Sequence, residues 1–160
     1  ETNIHSFFYV DDALGCTLNY SYFYNTSNEV FLMLLFKSGD WFPSEKQIEL
    51  TDSVCDFIHS KFDQFKGSTV EIHRKDLSDD GVFGWCELEG REFFIQIHNE
   101  LSDEDYVITL IHELIHVKQT IDGLMDDDRR EEEARIWEKI LSKEYWDTIE
   151  SVTRPIPVPA

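Results

Sequence analysis

The sequence predicts an α+β fold, in which a mostly antiparallel sheet packs against a central helix and a C-terminal helix. Short segments rich in aromatic and β-branched residues predict the strands, and longer stretches with helical apolar spacing predict the helices. Hydrophobic residues make up 41% of the chain and aromatic residues 14%, which is enough for a core and excludes intrinsic disorder. The length of 160 residues favours one domain, placed at 1–152, with an extended Pro-rich tail at 153–160.

The predicted strands form two groups, one on each side of the first helix. The first group contains the segments 7–10, 17–24 and 30–37. The second group contains the segments 69–74, 82–88 and 91–98. Turn residues at 25–28 and the pair Glu89-Gly90 separate neighbouring segments. Because short turns join strands that run in opposite directions, these connections predict antiparallel pairing.

Three stretches have the apolar spacing of helices. The first, 45–65, follows Ser44, which can cap it. The second, 103–122, begins after Ser102 as an N-cap and is stopped by Gly123. An acidic loop at 124–130 leads to the third helix, 130–151.

The chain carries 33 acidic and 14 basic side chains, which gives a formal net charge of −19. Such a surface repels phosphate groups, so we expect no binding to nucleic acid and none to anionic membranes. No apolar run approaches the ~18 residues of a membrane-spanning helix. Solubility is the ordinary explanation of this charge, and DNA mimicry by an acidic protein-binding module is the alternative.

Cysteine usage favours a reducing, cytoplasmic setting. Cys16, Cys55 and Cys86 are widely spaced and form no CxxC pair, so neither a disulfide framework nor a cysteine zinc site is indicated. The chain opens at Glu1 and not at Met, so a removed signal peptide, and with it secretion, stays open. The sequence does not indicate an oligomeric state.

The second predicted helix contains the HExxH motif His112-Glu-Leu-Ile-His116. Residues four apart lie one above the other on a helix, so both imidazoles can reach one metal ion. A catalytic zinc site needs three protein ligands and a water, and Glu113 lies close enough to act on that water as a base. The alternative is a pair of core histidines with Glu113 in a salt bridge. The remaining histidines are expected at surface or core positions: His5, His59, His73 and His98.

The third ligand follows by elimination. No His or Cys occurs after His116, so a downstream ligand must be a carboxylate. The candidates lie in the acidic loop and in the run 131–133 that opens the last helix. Glu131 and Glu133 flank the inward face of that helix, and Glu131 lies one turn before the small Ala134. Glu131 is therefore the first choice and Glu133 the second.

These motifs resemble those of the gluzincin peptidases, in which HExxH is followed by a connecting loop and by Glu-x-x-Ala or Glu-x-x-x-Asp on the next helix. Here the second part is Glu131-Glu-Glu-Ala134, and His116-Val-Lys-Gln119 is further similar to small HExxH proteins of tailed bacteriophages. The resemblance spans roughly residues 102–140. It implies a zincin-like fold, Zn²⁺ bound by His112, His116 and Glu131, Glu113 as the catalytic base, and a cytoplasmic setting in a phage-infected host.

Two positions depart from the thermolysin-like pattern. Four residues after the proposed ligand Glu stands Arg135 where the family has Asp, so the group that orients a ligand His must come from elsewhere. Asp128 and Glu138 are the candidates. The family's downstream His that stabilises the oxyanion is also missing, and Tyr145 is the candidate for that role, with core filling as the alternative.

The sequence therefore predicts a zinc-dependent metallopeptidase that hydrolyses peptide bonds in a peptide or protein substrate, with Glu113 as general base. The strand 91–98 is predicted to be the sheet edge along which an extended substrate binds. The run 126–128 is expected to be a solvated loop, or a source of preference for cationic peptides if it borders the cleft. The alternative function is a non-catalytic, zinc-stabilised acidic protein-binding module, and peptidoglycan is a less favoured substrate because it is anionic.

Overall fold

A computed structural model describes the backbone of residues 9–11, 16–26, 29–38, 45–65, 67–89 and 92–153, and the side chains of 46–65, 67–88 and 92–151. The elements in chain order are β1 (Tyr9–Asp11), β2 (Cys16–Thr26), β3 (Glu29–Ser38), α1 (Glu45–Lys61), β4 (Thr69–Lys75), β5 (Gly84–Glu89), β6 (Glu92–His98), α2 (Asp103–Ile121) and α3 (Asp127–Thr153). Short 3₁₀ turns follow α1 at Asp63–Phe65 and β4 at Ser78–Asp80. The predicted α+β class is confirmed. Helix α3 includes Thr153, where the sequence predicts the start of the Pro-rich tail, and the rest of that tail lies outside the described residues.

The sheet has six strands in the order β1-β2-β3-β4-β6-β5 and is mixed. The pairs β1–β2, β2–β3 and β5–β6 are antiparallel, whereas β3–β4 and β4–β6 are parallel. Three of the five pairs are thus antiparallel, as expected, but the sequence did not predict the two parallel pairs. The physical reason is the connection between β3 and β4: because α1 crosses over between them, the chain re-enters the sheet in the same direction.

The sheet edge is not formed by the strand that the sequence predicts. After β4 the chain passes to the outside, forms β5, and returns as β6 between β4 and β5. The strand that was predicted to be the edge is thus an inner strand. Among the described residues, β5 has a strand partner on one side only.

The core lies on one face of the sheet, beneath the helices. Burial alternates along β4 and β6, so that Val70, Ile72 and Ile95 are fully buried and face the helices. Helix α2 is buried on most sides, because it packs against α1, α3, β5 and β6. A fully buried aliphatic side chain contributes about 1.5–3 kcal/mol, so this central position holds α2 firmly.

Local capping explains where α2 begins and ends and where α3 begins. The Ser102 hydroxyl accepts a hydrogen bond from the Asp105 N–H at 3.1 Å, as the sequence predicts for an N-cap. Gly123 adopts a left-handed φ of 80°, which a non-glycine residue rarely adopts and which stops α2. Helix α3 begins at Asp127, three residues earlier than predicted, because the Asp126 carboxylate accepts from the Arg129 N–H at 3.0 Å and caps it. No described helix combines the length and the apolar character that crossing a bilayer requires.

Candidate metal centre

Helix α2 brings two imidazole nitrogens together. His112 and His116 lie four residues apart on the helix, and their Nε2 atoms are 3.0 Å from each other. His116 is buried and His112 is partly buried. The HExxH spacing therefore produces the local geometry that it predicts.

Helix α3 adds a carboxylate to this pair. The Glu131 Oε1 atom lies 2.9 Å from His116 Nε2, and its Oε2 atom lies 3.5 Å from His112 Nε2. One ligand atom from each of the three side chains falls within 4.8 Å of the other two, a spacing that could hold a metal ion. Buried Ala134, one turn further along α3, lies on the face that packs against the core.

The opposite nitrogen of each imidazole is held by a hydrogen-bond acceptor. His112 Nδ1 lies 2.6 Å from Glu138 Oε2, and a carboxylate can only accept. His116 Nδ1 lies 2.9 Å from Gln119 Oε1, while the Gln119 Nε2 atom donates to the Arg130 main-chain oxygen at 3.0 Å. Both Nδ1 atoms therefore carry the proton in the neutral imidazoles, and each Nε2 atom presents a lone pair.

The chemistry of these three side chains is compatible with a metal ion. Two imidazole nitrogens and a carboxylate converge on one point, and either a metal ion or a proton on one imidazole would hold these groups together. Burial lowers the pKa of His116, which favours the neutral, metal-binding form of its imidazole. An imidazole and carboxylate donor set suits several first-row transition metals.

Glu113 lies beside this group without joining it. Its side chain is buried, and its Oε2 atom has no hydrogen-bond partner among the described residues. Burial, reinforced by the nearby Glu131 and Glu138 carboxylates, raises the pKa of Glu113 to about 8. A buried carboxyl group without a partner is costly for stability, so its presence here needs a reason beyond packing.

A cavity of about 400 Å³ opens onto these residues between β5, α2 and the start of α3. The strand side is formed by Gly84, Trp85 and Cys86, and the helix side includes all four residues His112, Glu113, His116 and Glu131. Arg130 lies at the margin, but its guanidinium already donates to the main-chain oxygen of Leu124 at 2.8 Å and to the Thr120 hydroxyl at 3.0 Å. These hydrogen bonds connect the start of α3 to the end of α2 and to the loop that follows it.

The structure does not bring every predicted residue to this site. Tyr145 lies about 21 Å along α3 from Glu131, at 1.5 Å per residue. Its hydroxyl donates to Ser53 Oγ at 3.0 Å, and its ring packs edge-on against Phe57. Tyr145 thus ties α3 to α1, and its assignment as an oxyanion stabiliser is not retained.

The structure also shows the positions of the other residues that the sequence analysis considered for the metal site. Glu133 is not part of the group of possible metal ligands. Of the two residues considered for orienting a ligand His, Glu138 makes the contact, whereas Asp128 faces a separate groove along α3. Asp127 borders the cavity, and Asp126 is the helix cap. His98 Nδ1 accepts from the Leu77 N–H at 3.0 Å, away from the site.

Two contributors were missed by the sequence reasoning. Gln119 orients His116, and its position three residues after that histidine on the same helix was the available signal. Gly84 lies on β5 directly above α2, and no local pattern indicates which strand passes over the motif helix.

Comparison with known proteins gives no match to any family model, to any curated protein or to any solved structure.

Proposed function

We propose that this protein is a zinc-dependent metallopeptidase of the gluzincin type, with a zincin-like fold. His112, His116 and Glu131 hold the ion, and Glu113 acts as the general base. The observation that carries the proposal is the buried Glu113 carboxylate, which has an oxygen without a described partner and stands next to three converging ligand side chains.

Each side chain of the site has a proposed role that follows from its position. Bound zinc would supply a Lewis acid that lowers the pKa of a coordinated water and polarises a carbonyl group. Glu113 borders the cavity, and in its ionised form its carboxylate can take a proton from water and deliver it to the leaving amine. Glu138 and Gln119 hold the two imidazoles with their Nε2 lone pairs directed at Glu131.

Among the described residues, the free edge of strand β5 is an argument for a peptide as the substrate. The His98 N–H donates to the Phe83 carbonyl at 2.7 Å, and the inward and outward directions alternate along an antiparallel strand. Residues 84, 86 and 88 therefore direct their main-chain groups away from β6. Gly84 and Cys86 also border the cavity, so an extended peptide that pairs with β5 would pass the metal-binding group.

The non-catalytic, zinc-stabilised module is the weaker explanation of the same site. A structural ion needs ligands and their supporting hydrogen bonds, but it gains nothing from a buried carboxylate that coordinates nothing. Leaving such a group without a partner costs about 1–3 kcal/mol, so a purely structural site would favour a neutral residue at position 113.

The test is metal content combined with hydrolysis. Protein purified without a histidine tag is expected to contain about one zinc per chain, as set by one ligand triad. Glu131→Gln should lose most of this zinc, and Glu132→Gln is the matched control, because Glu132 is the exposed neighbour on the same helix. Glu113→Gln should keep the zinc and lose hydrolysis of fluorescein-labelled casein.

Three results would count against the proposal. Zinc retained by Glu131→Gln but lost by Glu133→Gln would move the third ligand. No metal in any variant after zinc is added would remove the metal site. Hydrolysis that survives in Glu113→Gln would remove the general base.

A further inference from the structure

Gly84 lies on β5 against helix α2. It pairs with Ile97 across the strands, and cross-strand partners share a face of the sheet. Because Ile97 is fully buried under the helices, Gly84 also faces α2. The next residues of β5 on that face, Cys86 and Leu88, carry side chains, whereas Gly84 carries none.

A methyl group at this position would have no room. It would stand 2.8 Å from Thr109 Cγ2, 3.1 Å from the Gln96 main-chain oxygen and 3.1 Å from Glu113 Oε1. Ordinary carbon contacts lie at about 3.5–4.0 Å, so the contact at 2.8 Å forces a displacement. The two contacts at 3.1 Å require the neighbouring oxygens to shift by a few tenths of an ångström.

The backbone itself does not require glycine here. The glycines with positive φ among the described residues are Gly67, Gly81 and Gly123, and Gly84 is not one of them. Glycine inside a strand weakens it, because it adds backbone entropy to the unfolded chain and buries no side chain. The reason for glycine at position 84 is therefore the space that it leaves.

We propose that Gly84 is a positioning residue for Glu113. The absent side chain provides the space in which the Glu113 carboxylate stands, between the edge strand and the group formed by His112, His116 and Glu131. With alanine at position 84, either the carboxylate turns away or β5 lifts from α2. The catalytic consequence rests on the proposed peptidase function, whereas the steric contact does not.

The steric contact is tested by thermal unfolding of the full chain in a double-mutant cycle. Gly84→Ala should lower the Tm by several degrees. In a Glu113→Ala background the same substitution should lower the Tm by a smaller amount, because the contact with the carboxylate oxygen is gone, whereas the contacts with Thr109 and the Gln96 main-chain oxygen persist. Equal losses in the two backgrounds would overturn the proposal.

The consequence for the site is tested by zinc content and by casein hydrolysis. Gly84→Ala should keep its zinc, since none of the three ligand side chains is among the atoms nearest to the added methyl. Hydrolysis of fluorescein-labelled casein should fall about 100-fold, which is the usual effect of misplacing a reacting group by about 1 Å. Glu87→Ala is the control, because Glu87 lies on β5, is exposed and faces away from α2.

Thr109→Ser separates this role from ordinary packing. It removes the methyl that lies 2.8 Å from the new Cβ and leaves Glu113 unchanged. The double variant Gly84→Ala/Thr109→Ser should recover much of the lost Tm but not the lost hydrolysis. If it recovers hydrolysis as well, Gly84 serves packing against Thr109 and the proposal is overturned.

The failure of this inference differs from failure of the proposed function. A wild-type protein without zinc, or without hydrolysis that depends on Glu113, contradicts the peptidase assignment. The Tm cycle then still decides whether Gly84 sets the position of Glu113. A zinc-loaded, active wild type with an equally active Gly84→Ala variant contradicts the inference alone.

Discussion

Glu138→Gln should weaken zinc binding without unfolding the protein. Glu138 accepts from His112 Nδ1 at 2.6 Å, a short hydrogen bond to an anionic acceptor. This bond fixes the tautomer in which Nε2 carries the lone pair. Glutamine has the same shape, can still accept through its amide oxygen, and lacks the negative charge, so the substitution changes the strength of one interaction.

The size of the effect follows from the type of bond. Hydrogen bonds to charged groups contribute about 1.5–3 kcal/mol, and neutral ones about 0.5–1.5 kcal/mol. The expected loss is about 1–2 kcal/mol, which corresponds to about 5–30-fold in the dissociation constant. This agrees with the ~10–100-fold loss that removing the partner of a ligand histidine usually causes.

The assay is a zinc titration in competition with a chromophoric chelator, with Glu132→Gln as the matched control. Both variants remove one negative charge from α3, but Glu132 is exposed and makes no contact with the imidazoles. Equal affinity of Glu138→Gln and wild type would refute the reasoning that Glu138 supports His112. A loss as large as that of Glu131→Gln would refute it differently, because Glu138 would then be a ligand itself.

Three further predictions concern the packing and chemistry around the site. Ala134→Leu should destabilise the fold by about 1–3 kcal/mol in urea unfolding and should also weaken zinc binding. Ala134 is fully buried, so a larger side chain would push α3, and Glu131 with it, away from α2. Unchanged zinc affinity would contradict this prediction. Ser102→Ala should cost about 1 kcal/mol through the lost N-cap of α2, and Ser151→Ala, an exposed substitution near the end of α3, should cost much less in the same urea titration. Burial, with the nearby Glu113 charge, raises the pKa of the Cys86 thiol to about 12. At pH 8 the folded protein should therefore be alkylated at Cys86 far more slowly than the unfolded chain, as measured by peptide mass spectrometry. Equal alkylation rates would show that the thiol is ionised and accessible in the folded protein.

Features that depend on neighbours in the chain were predicted well. The bounds of α2 follow from Ser102 and Gly123, and the pairing of His112 with His116 follows from helical spacing, because each rests on residues within a few positions of one another. The start of α3 was placed three residues late, since the capping role of Asp126 could not be distinguished from that of a loop carboxylate in an acidic run.

Features that depend on how distant elements meet were predicted only in part. The helical wheel placed Glu131 and Glu133 on opposite flanks of α3, and only the packing of α3 on α2 shows that Glu131 is the one beside the imidazoles. Tyr145 shares the inward face of the same helix but lies too far along it, where its hydroxyl meets Ser53. A helical wheel shows the angle of a residue around the helix axis, but it does not show how far that residue lies from a site on another element.

The sequence by itself determined the side chains that are available: an HExxH helix with two imidazoles on one face, a glutamate beside them and acidic residues on the helix that follows. The tertiary structure alone decided which groups complete the site. It placed β5 and not β6 at the sheet edge, brought Glu138 to His112 and set Gly84 against Glu113. The reason is physical: helical spacing is set by local hydrogen bonds, whereas strand order and helix packing are set by the burial of apolar surface over the whole chain.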